Sequence, residues 1–303
     1  WALHRRIRKS SINVIIHIHS WWNMVALVSC LIAKMAKVPI ILSPRGMLSA
    51  YTFGNRNSMI KAVIHKFIGR HLLKHCIIHA TSDLEKEDIL RFSTPKGIQV
   101  IPNFINAPTN TVLSKPICNP KENFAQTFKL LYLSRVDEKK GLELLFHALA
   151  NCNFSWSLTI AGTGHQSYLD RLKQLAEIFG ISQYVTWLGH VSTDRKYKIM
   201  KDHHLLALLS HNENFANVIL ESLSVGTPVA ISCNVGLAEF VKMQNLGWVV
   251  KPEPRIIGEM LSDAYSDHRK RTFILQNAPT IVGEFFSERA ILKQYLDLYN
   301  RLD

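Results

Sequence analysis

Residues Leu206–Val229 read LALLSHNENFANVILESLSVGTPV. An apolar run ends near Ser210, a polar loop carries Glu213, and a helical period begins near Ala216 with Glu221 about a turn and a half in. Gly226-Thr227-Pro228 then precedes a second apolar run, so the segment reads strand, loop, helix, strand. In an open α/β sheet, ligands bind outside the carboxyl ends of the strands, which makes this loop and helix start an expected site. Backbone N–H groups at Ala216 and Asn217 favour a phosphate there. The carboxylate of Glu221 only accepts hydrogen bonds and suits two adjacent sugar hydroxyls, with Glu213 further along the ligand. The two glutamates also fit a helix N-terminal charge and a solvated face, and spacing alone leaves both readings open.

The same alternation runs outward in both directions. Short apolar runs at 12–19, 38–42, 76–80, 98–101, 129–134, 156–161, 184–188, 204–209, 228–231 and 247–250 predict ten strands, with helical periods between them. This is the pattern of parallel sheets covered on both faces. At roughly 100–200 residues per domain, 303 residues hold two domains. The prolines, Asn and Thr between Ala107 and Gln126 break every period there. The expected division is a first domain at 1–115, a linker at 116–127, a second domain at 128–283, and a terminal helix at 284–303 that packs back toward the first.

A second strand end, Leu133-Ser134-Arg135, opens a charged loop that closes at Lys140-Gly141. Arg135 and Lys140 converge on one anion if that loop curls, the first as a fork and the second as a point charge; otherwise the loop is simply exposed. The turn Ala161-Gly162-Thr163-Gly164 lacks the third glycine of a dinucleotide fingerprint and reads as a bend into its helix.

Charge divides the chain unevenly. Residues 1–115 hold 16 Lys and Arg against four acids, and the remaining 188 hold 20 against 19, so the first domain is the part that faces something anionic. Five scattered cysteines form neither a disulfide framework nor zinc-ligand spacing, in keeping with a reducing, cytoplasmic setting. The longest apolar stretch, Met24 to Ala33, is too short to span a bilayer. Met59 to His75 forms a basic amphipathic stretch in which Ile60, Val63, Ile64, Phe67 and Ile68 share a face. That stripe is expected to lie on the sheet, leaving Lys61, Lys66, Arg70 and Lys74 free for an anionic membrane surface. His19, Arg45 and Gly46 lie at strand ends of the first domain and are candidates for an acceptor side, with His17 beside them. Trp21 and Trp22 fit either a sugar platform or packing.

Taken in order, these blocks resemble the family 4 retaining glycosyltransferases of the GT-B fold over nearly the whole chain. Ser134-Arg135 through Lys140-Gly141 is similar to that family's Arg and Lys pair for the donor diphosphate. Trp187-Leu188-Gly189-His190-Val191 is similar to the strand and turn that meet the nucleotide base through the backbone. Glu213 through Glu221 resembles its Glu-x7-Glu motif, followed by Gly226-Thr227-Pro228-Val229. In the front half, His17-Ile18-His19-Ser20, Ser43-Pro44-Arg45-Gly46-Met47-Leu48, His79-Ala80-Thr81-Ser82 with Glu85 and Glu87, and Val100-Ile101-Pro102-Asn103 are similar to members that build bacterial surface polysaccharides.

The resemblance implies two Rossmann-like β/α/β domains facing across a cleft. It also implies a donor site of Arg135, Lys140, Gly189, His190, Val191, Glu213, Phe215, Ala216, Asn217, Val218 and Glu221, with Glu213, Arg135 and Lys140 catalytic. The implied substrates are a nucleotide sugar and a glycan or polyprenyl-diphosphate-linked acceptor, with no cofactor, no metal and no nucleic acid. There is no Asp-x-Asp metal motif in the chain. Three departures stand out: Ala216 replaces a common glycine, Phe104 follows Asn103 where glycine is more frequent, and the family's first strand and Gly-rich loop have no counterpart. The last, with Trp at position 1, implies an incomplete first domain and a peripheral protein that lacks its start. A sugar-nucleotide epimerase of the same fold, an inactive relative and a basic nucleic-acid-binding protein are the alternatives.

Overall fold

A computed structural model describes residues 2–9, 14–54, 58–105 and 127–302; most of the expected linker at 116–127 lies outside them. The chain divides into two compact units, Trp1–Phe104 with Glu288–Asp303, and Ile105–Ser287.

Unit 1 runs α1 (Ala2–Lys9), β1 (Ile16–His19), α2 (Met24–Met35), β2 (Ile40–Ser43), α3 (Ala50–Gly54), α4 (Ser58–Ile64), a π-helical turn (His65–Gly69), α5 (Arg70–Leu73), β3 (Cys76–Ala80), α6 (Asp83–Phe92) and β4 (Gly97–Val100). Its four strands are parallel in the order β1-β2-β3-β4. Right-handed crossovers between strands taken in sequence all fall on one face of a sheet. The helices from α2 to α6 therefore cover one face, over Ile18, Trp21, Cys30, Leu42, Leu73 and Ile78. The other face, with Ile41 and Ile101, is covered by the terminal helix through Ile291 and Leu298. Caps set the starts: Asn23 Oδ1 accepts the Ala26 N–H at 2.8 Å, and Ser82 Oγ accepts the Glu85 N–H, each worth about 1 kcal/mol.

Unit 2 runs β5 (Phe128–Leu133), α7 (Leu142–Leu149), β6 (Trp156–Ala161), α8 (Gln166–Ile178), β7 (Val185–Gly189), α9 (Thr193–Lys201), β8 (Leu205–Leu208), α10 (Asn217–Ser224), β9 (Val229–Ser232), α11 (Ala238–Met243), β10 (Gly247–Val250), α12 (Pro254–Ser266) and α13 (His268–Phe286), after which α14 (Glu288–Asn300) belongs to unit 1. Its parallel order is β10-β9-β8-β5-β6-β7. The chain goes outward from β5 through β6 and β7, then returns and goes outward again from β8. The loops after β5 and β8 thus diverge from neighbouring strands, the switch point at which doubly wound sheets bind ligands. β8 and β9 are buried along their whole length, which is why both read as unbroken apolar runs.

Two expectations change. The first strand runs Ile16–His19, with residues 14 and 15 outside it, and the start of the expected run at 12 and 13 lies outside the described residues. More consequentially, the stripe expected on the sheet is not there: Ile60, Val63, Phe67 and Ile68 are all at least half exposed. His65, Gly69, Leu72 and Leu73 face inward instead. The Arg70 N–H reaches the His65 carbonyl, a π-type bond that inserts one residue into the helix and resets its face. Trp21 is fully buried, and the Trp22 Nε1–H donates to the Met47 carbonyl, so both tryptophans are packing residues. Among the described residues no helix is long and apolar enough to cross a membrane.

A hydrogen-bond chain ties the terminal helix to this sheet. His79 Nε2–H donates to the Ile101 carbonyl at 2.8 Å, which leaves Nδ1 to accept from the Ser43 hydroxyl at 2.7 Å. Ser43 Oγ accepts from His17 Nε2–H at 2.7 Å, and His17 Nδ1 accepts from Tyr299 at 2.7 Å. Donated in this direction, the chain has both imidazoles neutral. Burial, first of all, lowers both to about 4, with the neighbouring His and Arg45 charges adding to it. Between about 6.5 and about 4 the unfolded state binds the proton and the folded state does not, so stability falls as pH falls. For fully buried His79 the slope is about 1.4 kcal/mol per pH unit. Denaturant unfolding at pH 7 and 5.5 should show at least that loss, and a flat profile would show the chain to be solvated.

Candidate functional site

The loops after β5 and β8 meet at Gly141. A Cβ built there would lie 2.3 Å from the Leu209 carbonyl oxygen, so only glycine lets the two backbones come this close. The His211 N–H donates to the Lys139 carbonyl at 2.9 Å across the same junction. This closeness brings together the side chains of Lys140 and Glu213, which form an ion pair with 12% and 18% of their side chains exposed. The β8 loop is also tied to the loop after β9: Glu213 N–H donates to Asn234 O at 3.0 Å and Gly236 N–H to Glu213 O at 2.9 Å. Glu213 is therefore fixed by backbone on one side and by Lys140 on the other.

Glu221, on α10, pairs with Lys196 of α9 at 2.8 Å, both mostly shielded from water. Lys196 was not signalled by the sequence, where it is one of four basic residues in Thr193–Lys201; only the packing of α9 on α10 singles it out. The Arg135 side chain is 71% exposed with its Nε 3.7 Å from Asp137, whereas that of Lys140 is 12% exposed. Lys139, by contrast, is held below the usual lysine range by burial.

Ala216 precedes α10 in the left-handed region, with φ 66° and ψ 76°. Left-handed backbone costs an L-residue about 1–2 kcal/mol, which explains why glycine is the residue expected here. The conformation turns the chain so that the first amides of α10, at Asn217 and Val218, start a helix at the mouth of the β8 loop. Phe215 is buried and meets Phe286 edge-on with ring centroids 6.2 Å apart, so it anchors this turn in the core. On the other flank Gly189 ends β7 with φ 66°, its carbonyl accepting the Gly162 N–H at 2.7 Å. His190 follows, exposed, and Val191 packs partly against the core. The cluster thus offers two shielded lysine–carboxylate pairs, a helix start and an exposed turn at one sheet end, groups suited to phosphates and hydroxyls.

In unit 1 the Gly46 N–H donates to Glu85 Oε1 at 2.6 Å, while Thr81 N–H and hydroxyl donate to Oε2. Buried Glu85 therefore holds the β2 and β3 loops together. Arg45 is exposed at φ 55° and donates to Asn103 Oδ1. His19 is exposed and stacks on His17 at 4.5 Å, and partial burial, then the Arg45 charge, lower its pKa from the ordinary imidazole value. Of the three histidines at this sheet end, only His19 is open to a ligand; His17 and His79 are committed to the chain described above.

Two family models match the chain: Glycosyl transferases group 1 over residues 117–280 and Glycosyltransferase Family 4 over residues 1–107. The uncharacterized glycosyltransferase MJ1607 of Methanocaldococcus jannaschii is 28% identical over 297 residues, covering 94% of this chain and 74% of that protein. The lipopolysaccharide core biosynthesis glycosyltransferase LpsE of Rhizobium meliloti is 29% identical over 171 residues, 56% of this chain and 48% of LpsE. The chain thus spans three quarters of the first relative and about half of the second. The Anabaena protein Alr3699/HepE in complex with UDP superposes with a TM-score of 0.79 over 99% of this chain and 82% of that one, at 20% identity. At that identity the likeness speaks for the fold.

Proposed function

The chain belongs to the group 1, family 4 glycosyltransferases of the GT-B fold, and from that premise we propose that it moves a hexose from a nucleoside-diphosphate sugar to a lipid-linked or saccharide acceptor with retention, without a metal. The observation that carries the donor half is the pair of shielded lysine–carboxylate couples at the unit 2 switch point, Lys140 with Glu213 and Lys196 with Glu221.

In this reading the donor diphosphate takes over Lys140 from Glu213. Arg135, its side chain exposed beside Asp137, swings onto the same phosphates, and the amides of Asn217 and Val218 complete the cradle. As the bond from the anomeric carbon to the diphosphate oxygen breaks, negative charge grows on the leaving group. Fixed cations and amides stabilise it without reorganising, an effect of about 10²–10³ in rate for each donor removed elsewhere. Glu213, released from Lys140, stands beside the transferred sugar. Glu221 accepts from the ribose hydroxyls, while the backbone at Gly189, His190 and Val191 meets the base. His19, Arg45 and Gly46 serve the acceptor.

The likeness to LpsE supports assembly of a cell-surface polysaccharide such as a capsule, O-antigen or lipopolysaccharide core. Residues 1–82 carry twelve Lys and Arg and no Asp or Glu. This supports docking of unit 1 on the anionic inner face of a membrane, where each basic residue near the headgroups contributes about 1 kcal/mol.

The test is thermal stabilisation by UDP, GDP, ADP and CMP. A nucleotide at 100 times its Kd stabilises by about 2.7 kcal/mol. One nucleoside diphosphate, UDP first in view of the HepE complex, should raise the melting temperature, and Arg135→Ala should reduce the shift without altering the unliganded midpoint. No shift with any nucleotide at millimolar concentration would overturn the donor site.

A further inference from the structure

The π-helical turn of unit 1 builds a second site that donor chemistry does not use. Phe53, Met59, Ala62, His65 and Phe92 line an open pocket of about 500 Å³. Phe53 stacks on Phe92 at 4.5 Å and meets His65 edge-on at 5.0 Å. His65 Nε2–H donates to the Phe92 carbonyl at 2.8 Å, so its Nδ1 carries a lone pair, and that buried atom has no hydrogen-bond partner among the described residues. Apart from the His65 imidazole, the inner wall is apolar. Lys66 and Arg70 are both exposed and also line the pocket, so two cations stand at an apolar hole.

The surroundings continue the same chemistry. Met59, which lines the pocket, is exposed, as are Ile60, Val63, Phe67 and Ile68 on the same helical stretch. α2 packs against α5, and presents Met24, Val25, Val28, Leu31 and Met35 to solvent. Exposed apolar side chains in this number, within the acid-free segment 1–82, mark an interaction surface rather than an ordinary one. A purely electrostatic partner would leave them wet, and a neutral apolar partner would leave the lysines and arginines unmatched.

We propose that this pocket takes the hydrocarbon chain of an anionic membrane phospholipid, with Lys66 and Arg70 on its headgroup phosphate. The inference rests on, and sharpens, the reading of unit 1 as the membrane-docking part: the surface does not merely lie on the headgroups but draws one lipid chain out of the bilayer. The π turn makes this possible by facing His65 and Gly69 inward. A Cβ at Gly69 would come within 3.1 Å of His65 Nδ1 and 3.4 Å of the Trp21 ring, leaving no slack behind the pocket wall.

The experiment uses dioctanoyl phosphatidylglycerol below its micelle concentration, with glycerol phosphate and dioctanoyl phosphatidylcholine as comparisons, on the wild-type chain and on Ala62→Trp. Ala62 is exposed on α4 and lines the pocket, so tryptophan there fills the hole without entering the core. Monomeric phosphatidylglycerol should bind the wild type, at least tenfold more tightly than either comparison, and should bind Ala62→Trp at least tenfold more weakly. An unchanged circular dichroism spectrum and cooperative melting of the ligand-free variant certify that unit 1 is folded. Sedimentation with vesicles of phosphatidylcholine and phosphatidylglycerol is measured alongside. Retention on those vesicles without monomer binding overturns the pocket and leaves the docking reading standing. Loss of both overturns both. Equal binding of glycerol phosphate makes it a phosphate site, and equal binding by Ala62→Trp places the lipid elsewhere; either result overturns the proposal.

Discussion

Lys140→Ala is expected to lower kcat/KM for the nucleotide-sugar donor by about 10²-fold or more, and Glu213→Gln is expected to lower turnover without weakening nucleoside-diphosphate binding. The asymmetry follows from the ion pair. In the unliganded site the Lys140 ammonium is held by the Glu213 carboxylate, and each side chain is less than one-fifth exposed. A donor diphosphate must displace that carboxylate, so Glu213 competes with the ligand for Lys140 before the sugar arrives beside it. Removing the charge at position 213 frees the cation, and nucleoside-diphosphate affinity should hold or rise. Removing the lysine leaves a shielded carboxylate facing an anionic ligand, with like charges at close range in a medium less screening than water. The orphaned Glu213 also costs folding stability, though less than the roughly 3–5 kcal/mol of a fully buried orphan, so activity is compared at a temperature where both variants are folded. Nucleotide Kd and kcat are measured separately. If Glu213→Gln weakens UDP as much as Lys140→Ala does, the pair is a strut that shapes the loops and the division of labour argued here is wrong.

The strands were legible because both units bury their sheets on two faces. The core runs Ile40–Ser43, Leu205–Leu208 and Val229–Ser232 are buried at every position, and nothing but a parallel strand needs so short and uninterrupted an apolar run. The helix after residue 58 was misjudged for an equally physical reason. Ile60, Val63, Ile64, Phe67 and Ile68 satisfy a 3.6-residue period, but a period alone does not fix which face turns inward: Ile60 and Val63 are exposed ahead of the π turn, and His65 and Gly69 within it are buried. At the donor site, Glu213 and Glu221 could be found because one loop and one helix carry both. Lys196 could not, since it reaches Glu221 from a different helix. Nor could the roles of the three histidines be separated. His17 and His79 acquire theirs from Ser43 and from Tyr299, which lies 282 residues from His17, and only the packing of α14 on the sheet shows that His19 alone remains open.

Gly141→Ala should destabilise unit 2 by about 2–5 kcal/mol: about 1–2 for left-handed backbone and about 1–3 for overpacking. The added carbon would meet the Leu209 carbonyl oxygen at 2.3 Å, and that oxygen belongs to rigid backbone at the end of a buried strand. Relief requires the β5 and β8 loops to part, which stretches the His211-to-Lys139 hydrogen bond and draws Lys140 away from Glu213. Stability and donor binding should therefore fall together. Gly180→Ala supplies the matching control, because Gly180 has nearly the same φ, 66° against 70°, and nothing within 4 Å of its added Cβ. It carries the backbone cost alone and should leave nucleotide affinity untouched. At about 2–4 °C per kcal/mol for a unit of this size, the two variants should melt several degrees apart. Equal melting temperatures, with nucleotide binding preserved in both, would mean that the two loops can separate at little cost, and that the meeting of Lys140 with Glu213 is set by the side chains rather than by the close approach of the backbones beneath them.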